Sequence, residues 1–516
     1  MMVSNAVPLT DSPHAIEIPE IPTLSALDLS RAIHARQVSC VEVMTAYLDQ
    51  IDAVNPKVNA IVSMRPRDAL LADARRADDE LLAGRSRGWM HGMPQAPKDL
   101  AATTDIVTTR GFRGLRDNLP PEDAIVVARA RAAGAILIGK TNTPEFGLGS
   151  HTYNAVFGTT LNAWDQRLSA GGSSGGAAVA IAAHLLPVAD GSDMMGSLRN
   201  PAGWNNIYGL RPSMGQVPAG PAPEVFFQQL TCEGPMGRTV ADLAMLLATQ
   251  AGDDPRTPLA RSGDGSEFAA PLIGIAQGAR IGWLADLGGH LATEPGVLDT
   301  CEGALKIFSD MGCHVEAART DFDMSRLWQA WVTLRSFLVS GGLQALYDNP
   351  VARDLLKPEA IWEIETGRAL TGAQVFAASV IRSAWYQEIL RLFECHDYLV
   401  LPTAQVFPFD ATQHWPLEIA GRTMDSYHRW MEVVIPGSMA GVPVLAVPAG
   451  FGPGGLPMGL QILGRPRADR ALLELGHAYD LAQGFTARRS PLVGGCKNSR
   501  SKQDCLFPDA GKRSAP

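Results

Sequence analysis

Three short segments of the chain carry side chains that could do chemistry together. Lys98 lies in Ala96-Pro97-Lys98-Asp99-Leu100, a single basic residue among small and apolar neighbours. Ser173 and Ser174 stand side by side in AGGSSGG, and Ser197 closes Asp193-Met194-Met195-Gly196-Ser197-Leu198-Arg199. A serine hydroxyl attacks a carbonyl carbon efficiently only when a base takes its proton, and an ammonium cannot accept one. A lysine in that role must be desolvated until a substantial fraction is neutral. A second hydroxyl lets the amine act at a distance and return the proton to a poorly basic leaving amine. Each residue alone is ordinary: a lone lysine is usually solvated, and a serine in a glycine-rich run usually makes a turn. Their combination points to acyl transfer.

Two other motifs match familiar patterns with less support from their surroundings. Gly134-Ala-Ile-Leu-Ile-Gly139-Lys140-Thr141 fits GxxxxGK[ST] letter for letter. A phosphate-binding loop needs flexible backbone after a strand and before a helix. Here AILI favours a buried strand, a helical pattern precedes it, and Pro144 discourages a helix after it. The segment predicts a strand, with Lys140 at its end near the surface. Gly172-Ser173-Ser174-Gly175-Gly176 also fits GxSxG, which would make Ser174 the nucleophile of a Ser-His-Asp esterase. That elbow wants an apolar strand before it, whereas Asn162–Ser169 is polar, and no downstream histidine has an informative signature.

At the level of whole motifs the sequence resembles the amidase signature family of serine hydrolases. The likeness is carried by KDL from Lys98, GKTNTPEFGLG at 139–149, GGSSGG at 171–176, and GSLRNPAGWNNIYGLRPSMGQVP at 196–218. It continues through GPMGRTVADLAMLL at 234–247, AGVPVLAVPAGF at 440–451 and GLPMGLQILGRP at 455–466, so it covers roughly residues 25–485. The resemblance implies Lys98 as general base, a serine held by a cis peptide as proton relay, and Ser197 as nucleophile. The family's relay serine precedes its nucleophile by 24 residues, which selects Ser173 over Ser174. It also implies an oxyanion hole of backbone amides from Met194, Met195, Gly196 and Ser197. Ser174 then hydrogen-bonds within the site or merely makes a turn. Asp193 and Arg199 either orient the nucleophile loop or form a purely structural ion pair.

One stretch departs from the family pattern. Many members read GTDTGGS where this chain has GSDMMGS at 191–197. Backbone donors survive the replacement, provided Met195 has a φ that a side chain tolerates. Met194, Met195 and Trp204 concentrate apolar bulk near Ser197, which predicts a preference for aryl or alkyl amides over glutamine and asparagine. The alternative is that the two methionines point into the core and only their amides matter.

These residues need a scaffold, and the sequence shows parts of it. Ser39-Cys40-Val41-Glu42 reads as a capping box at a helix start, followed by Met44, Tyr47, Leu48 and Ile51 on one face. A second helix is expected over Asp68–Leu82, stopping at Gly84, and a third from Glu122 to Gly134, before a buried strand at Ala135–Ile138. Residues 168–218 are dense in Gly, Ser, Ala and Pro, which lets backbone segments approach as an active-site floor requires. Residues 250–400 return to helical periodicity. Their Trp328, Trp331, Phe337, Trp362 and Trp385 read as core aromatics, or in one or two cases as pocket walls.

Composition bounds the class. The 516 residues are 46% hydrophobic with a net charge of −9, which supplies a large core and disfavours direct nucleic-acid binding. The apolar run Ala177–Ala189 carries His184 and Pro187 and is too short to span a bilayer. No Lys or Arg precedes Arg31, which argues against a secretory or transit leader. Seven scattered cysteines without a CxxC pair read as reduced thiols in a cytoplasm. No cluster has metal-ligand spacing, so neither metal nor organic cofactor is expected.

The resemblance implies one large α/β domain over 25–492, a mixed twisted sheet covered by helices on both sides. Residues 1–24 read as a poorly ordered arm and 493–516 as a disordered tail. The expected function is hydrolysis of a small-molecule amide to acid and amine or ammonia through a seryl acyl-enzyme. The alternative from the same resemblance is the glutamine-hydrolysing component of an aminoacyl-tRNA amidotransferase. A homodimer is compatible with the resemblance.

Overall fold

The computed structural model describes residues 21–227 and 229–493. The arm and the tail therefore lie outside the described residues except at their inner ends, where Ile21–Thr23 form a 3-10 turn and Ile21 and Leu24 lean on the core. The chain is organised around one eight-stranded sheet. Its strands are β1 (Val188–Asp193), β2 (Tyr208–Arg211), β3 (Cys232–Gly237), β4 (Arg280–Trp283), β5 (His314–Ala317), β6 (Tyr398–Pro402), β7 (Val444–Phe451) and β8 (Pro457–Leu463). They lie in the order β5-β4-β6-β8-β7-β2-β3-β1. The strand β4 runs parallel to β5 and β6, and all other pairings are antiparallel.

Helices cover both faces: α1 (Cys40–Val58), α2 (Gly175–Ala182), α3 (Asn200–Asn205), α4 (Val240–Gln250), α5 (Val297–Asp310), α6 (Met324–Asp348), α7 (Pro358–Arg368), α8 (Gly372–Cys395) and α9 (Asp469–Ala482). The central strand β7 shows why both faces must be covered. Leu445, Val447 and Ala449 join one core with α4, α5 and α9, while Ala446 joins the core of α1 and α2, and Val444 that of α6 and α8. Successive side chains of a strand point to opposite faces, so an all-apolar strand needs an apolar layer on each. No helix among the described residues is long and apolar enough to cross a membrane. The five described cysteines are free thiols.

Local expectations hold where short-range chemistry decides them. Ser39 Oγ accepts from Glu42 N at 3.1 Å and Glu42 Oε2 accepts from Ser39 N at 2.8 Å, closing the capping box of α1. Met44, Tyr47, Leu48 and Ile51 are all buried. The second helix runs Arg67–Leu82. The third is shorter than its pattern suggests, Ile125–Ala132, because Ala124 and Ile125 donate their N–H groups to Ala102 O and Gly220 O. The region 250–400 contains the edge strand β5 and its neighbour β4 as well as helices. Trp328, Trp331 and Trp385 are core residues, Trp362 is 38% exposed, and Phe337 meets Phe227 edge-on.

Lys140 corrects the sequence reading. It sits in a short strand, Lys140–Thr141, paired antiparallel with Ile61–Val62, and is fully buried, not near the surface. Its Nζ donates to Thr103 Oγ1 at 2.8 Å and to Ala101 O, and burial pulls its amine down to about 8. Periodicity shows that a strand is present but not how many layers lie over it, and a long aliphatic stem can carry an amine to interior acceptors.

Candidate active site

Lys98 lies on the loop after a short strand, Pro94–Gln95, and bridges to Thr141. Its backbone N–H donates to Asp190 Oδ2 on β1 at 3.1 Å. Its Nζ donates to Ser173 Oγ and Ser174 Oγ, both at 2.8 Å, to Ser192 Oγ at 3.0 Å and to Ser192 O at 3.3 Å. Only 1% of the residue is exposed. Burial pulls its amine down to about 8, opposed by the negative charges of Glu233, Asp193 and Asp190. A lysine surrounded by neutral hydroxyls and held away from water is the environment in which an amine becomes a base near neutral pH.

The peptide bond between Gly172 and Ser173 is cis. Ser173 faces the cavity described below, whereas Ser174 is fully buried at the N-terminus of α2 and also donates to Ser192 O at 3.3 Å. Ser174 is thus part of the hydrogen-bonded site. Close approach of β1 to it depends on Gly191, where a Cβ would lie 2.7 Å from Ser174 Oγ. No histidine lines the cavity among the described residues, so the Ser-His-Asp arrangement has no base beside Ser174.

Ser197 lies in the turn joining β1 to α3. Asp193, the last residue of β1, organises that turn: Oδ1 accepts from Gly196 N at 2.9 Å and Oδ2 from Leu198 N at 3.1 Å. The same carboxylate meets Arg199 at 3.0 Å and Arg211 at 3.3 Å with all three side chains fully buried. Burial alone would raise this carboxyl, but the two guanidinium groups override it and hold Asp193 well below the usual carboxylate range. Arg199 in turn donates to Val434 O, Gln461 Oε1 and Ser438 Oγ. The loop-orienting and ion-pairing readings of Asp193 and Arg199 are therefore one arrangement.

This arrangement distinguishes the amides expected to form the oxyanion hole. Gly196 N–H already donates to Asp193, while the amides of Met194, Met195 and Ser197 have no acceptor among the described residues. The positive φ of 80° falls on Gly196, so Met195 keeps an ordinary backbone. The methionines part company. Met194 lines the cavity, with its sulfur 3.2 Å from Arg335 Nη1, but Met195 and Trp204 are core residues packed with Trp430 and Met431. The apolar character of the cavity does not come from Met195 or Trp204.

A cavity of about 370 Å³ opens beside Ser173 and Ser197. Its apolar walls are Leu100, Phe146, Leu148 and Met194 on one side and Leu338, Val339 and Leu343 of α6 on the other. The tryptophans of α6 stay in the core. Arg335, also on α6, reaches the cavity but is committed to Glu363 Oε1 at 2.5 Å and to Tyr427 OH at 2.7 Å. Sequence reasoning missed Asp190, Ser192, Glu233, Arg110 and Arg335. For the first two a signal existed: in VADGSD polar side chains at 190 and 192 share one face of a buried strand. The other three have no local signature.

The sheet, the cis serine beside a buried lysine and the serine-bearing turn define a hydrolase of the amidase class. The Amidase family model matches residues 42–473, and the chain belongs to the amidase signature family, enzymes acting on amide C–N bonds. It is 33% identical to an acylamidase of Rhodococcus erythropolis, over 90% of this chain and 97% of that one. It is 34% identical to the A-type component of the glutamyl-tRNA(Gln) amidotransferase of Chloroflexus aurantiacus, over 92% and 99%. A solved bacterial aryl acylamidase of the same family superposes with a TM-score of 0.85 at 28% identity, covering 92% of this chain and 99% of that structure.

Proposed function

We propose that the protein hydrolyses an aryl or alkyl carboxylic amide through an acyl-enzyme on Ser197. Neutral Lys98 Nζ takes the Ser173 hydroxyl proton as Ser173 Oγ takes that of Ser197, and Ser197 Oγ bonds to the amide carbon. The oxygen that becomes negative is met by the N–H groups of Met194, Met195 and Ser197, a kind of donor worth roughly 3–4 kcal/mol each. Collapse breaks the C–N bond, and the proton returns from Lys98 through Ser173 to the leaving nitrogen. Water then repeats the sequence on the ester, releasing the acid and restoring Ser197. The observation that carries this reading is the 2.8 Å hydrogen bond from a buried Lys98 to a serine sharing a cavity with Ser197. The similarity to an acylamidase and an aryl acylamidase supports the substrate class.

The test is covalent labelling. A sulfonyl fluoride should modify Ser197 in the wild type, located by peptide mass spectrometry, and Ser197→Ala should lose both label and turnover with its thermal unfolding unchanged. Label on Ser174, or turnover by Ser197→Ala, overturns the assignment.

A further inference from the structure

The catalytic cavity contains a carboxylate that the proposed mechanism does not use. Glu233 lies on β3 directly across from Ser192 of β1 in the antiparallel register. Residues paired in this way project from the same face of a sheet, so Glu233 stands beside the hydroxyl that holds Lys98 Nζ. Its side chain lines the cavity of Ser173 and Ser197 and also an adjoining cavity of about 200 Å³. The two share Leu100, Arg110, Ala222, Thr231 and Glu233, and form neighbouring lobes of one space. Burial raises the Glu233 carboxyl, the charge of Asp190 adds to this, and the charge of Lys98 opposes it.

No hydrogen bond or ion pair satisfies that carboxylate among the described residues. Arg335 is held by Glu363 and Tyr427. The guanidinium of Arg110 has Asp99 as its electrostatic neighbour. Lys98 Nζ is hydrogen-bonded to Ser173, Ser174 and Ser192. Glu233 is half-buried: its carboxylate has no protein donor among the described residues but faces the cavity, where water fills the site and a ligand N–H that displaces that water gains a charged hydrogen bond. We infer that Glu233 selects the substrate, and that the protein takes amides whose apolar body carries an ammonium or other N–H donor placed to meet the Glu233 carboxylate. This rests on the amidase reading and adds to it a charge requirement.

Matched amides test it: 4′-(aminomethyl)acetanilide against 4′-ethylacetanilide, and 4-(aminomethyl)benzamide against 4-ethylbenzamide. Each pair differs by an ammonium in place of a methyl, and the two pairs place it in the leaving half or the acyl half. The readout is the ratio of kcat/KM within each pair, which cancels any general effect of a Glu233 change on Lys98. The wild type should favour the ammonium in at least one pair. Glu233→Gln and Glu233→Leu should reduce that ratio by roughly 10- to 100-fold, as expected when a charged hydrogen bond is lost. Wild-type turnover of the ethyl compounds with both ratios unmoved by either variant overturns the inference and leaves the amidase reading standing. No turnover of any of the four overturns both.

Discussion

At the scale of single residues, reactivity here is set by dehydration. Lys98 and Lys140 both lie buried with amines lowered to about 8, yet only Lys98 donates to serines that border the cavity. Lys140 Nζ is spent on Ala101 O and Thr103 Oγ1. A low amine pKa therefore does not distinguish a base from a structural strut, and neighbours do. In the proposed mechanism the neutral amine is the active form, so kcat/KM for a neutral amide should rise with pH up to about 8 and level off above it. Lys98→Met, which keeps the stem and removes the base, should cost about 10²–10⁴ in kcat. A pH profile falling between 6 and 8, or activity retained by Lys98→Met, would remove Lys98 from the mechanism.

At the scale of elements, the turn between β1 and α3 does the positioning. One carboxylate, Asp193, fixes the amides of Gly196 and Leu198 and leaves those of Met194, Met195 and Ser197 free to donate. The turn closes only because residue 196 is glycine. Its φ of 80° disfavours a side chain, and a Cβ there would lie 2.9 Å from Val434 Cγ1. Gly196→Ala should lose about 1–3 kcal/mol of stability from backbone conformation and overlap together. Displacing the donors beside Ser197 should also lower kcat by about 10²–10³. Thermal unfolding and kcat measured on the same preparation check both parts. A fully active Gly196→Ala would show that the turn tolerates another path.

At the scale of the whole molecule, the cavity exists because distant segments converge. Leu100, Arg110 and residues 146–148 line it together with Ser192 of β1, Glu233 of β3 and one face of α6. Its walls are mainly aliphatic, so burying an aryl or alkyl group gains roughly 25 cal/mol per Å² of apolar surface. Arg335 is already committed and the Glu233 carboxylate lines the same cavity, so an amino-acid carboxylate would meet an occupied guanidinium and a like charge. The wild type should therefore use 4′-ethylacetanilide at least about tenfold better than glutamine, measured as amine or ammonia release. Equal or better use of glutamine would favour an activity like that of its amidotransferase relatives. Met195→Gly should not alter this ranking, since Met195 belongs to the core.

The sequence by itself determined what short-range chemistry and motif spacing can specify. The capping box of α1 was legible because donors and acceptors three residues apart must meet at a helix start. Lys98, Ser173 and Ser197 could be proposed from the sequence because their flanking motifs are contiguous, and the spacing implied by the family resemblance chose Ser173 over Ser174. Only the tertiary structure decided the rest, since those facts are contacts between segments far apart in the chain. Lys140 is buried because other layers close over its strand, and Met195 enters the core while Met194 faces the cavity. The Gly196 amide donates to Asp193 because that carboxylate folds back on its own turn. Glu233 reaches the site because strand register sets it opposite Ser192, and register is a property of a sheet, not of the pattern along one strand.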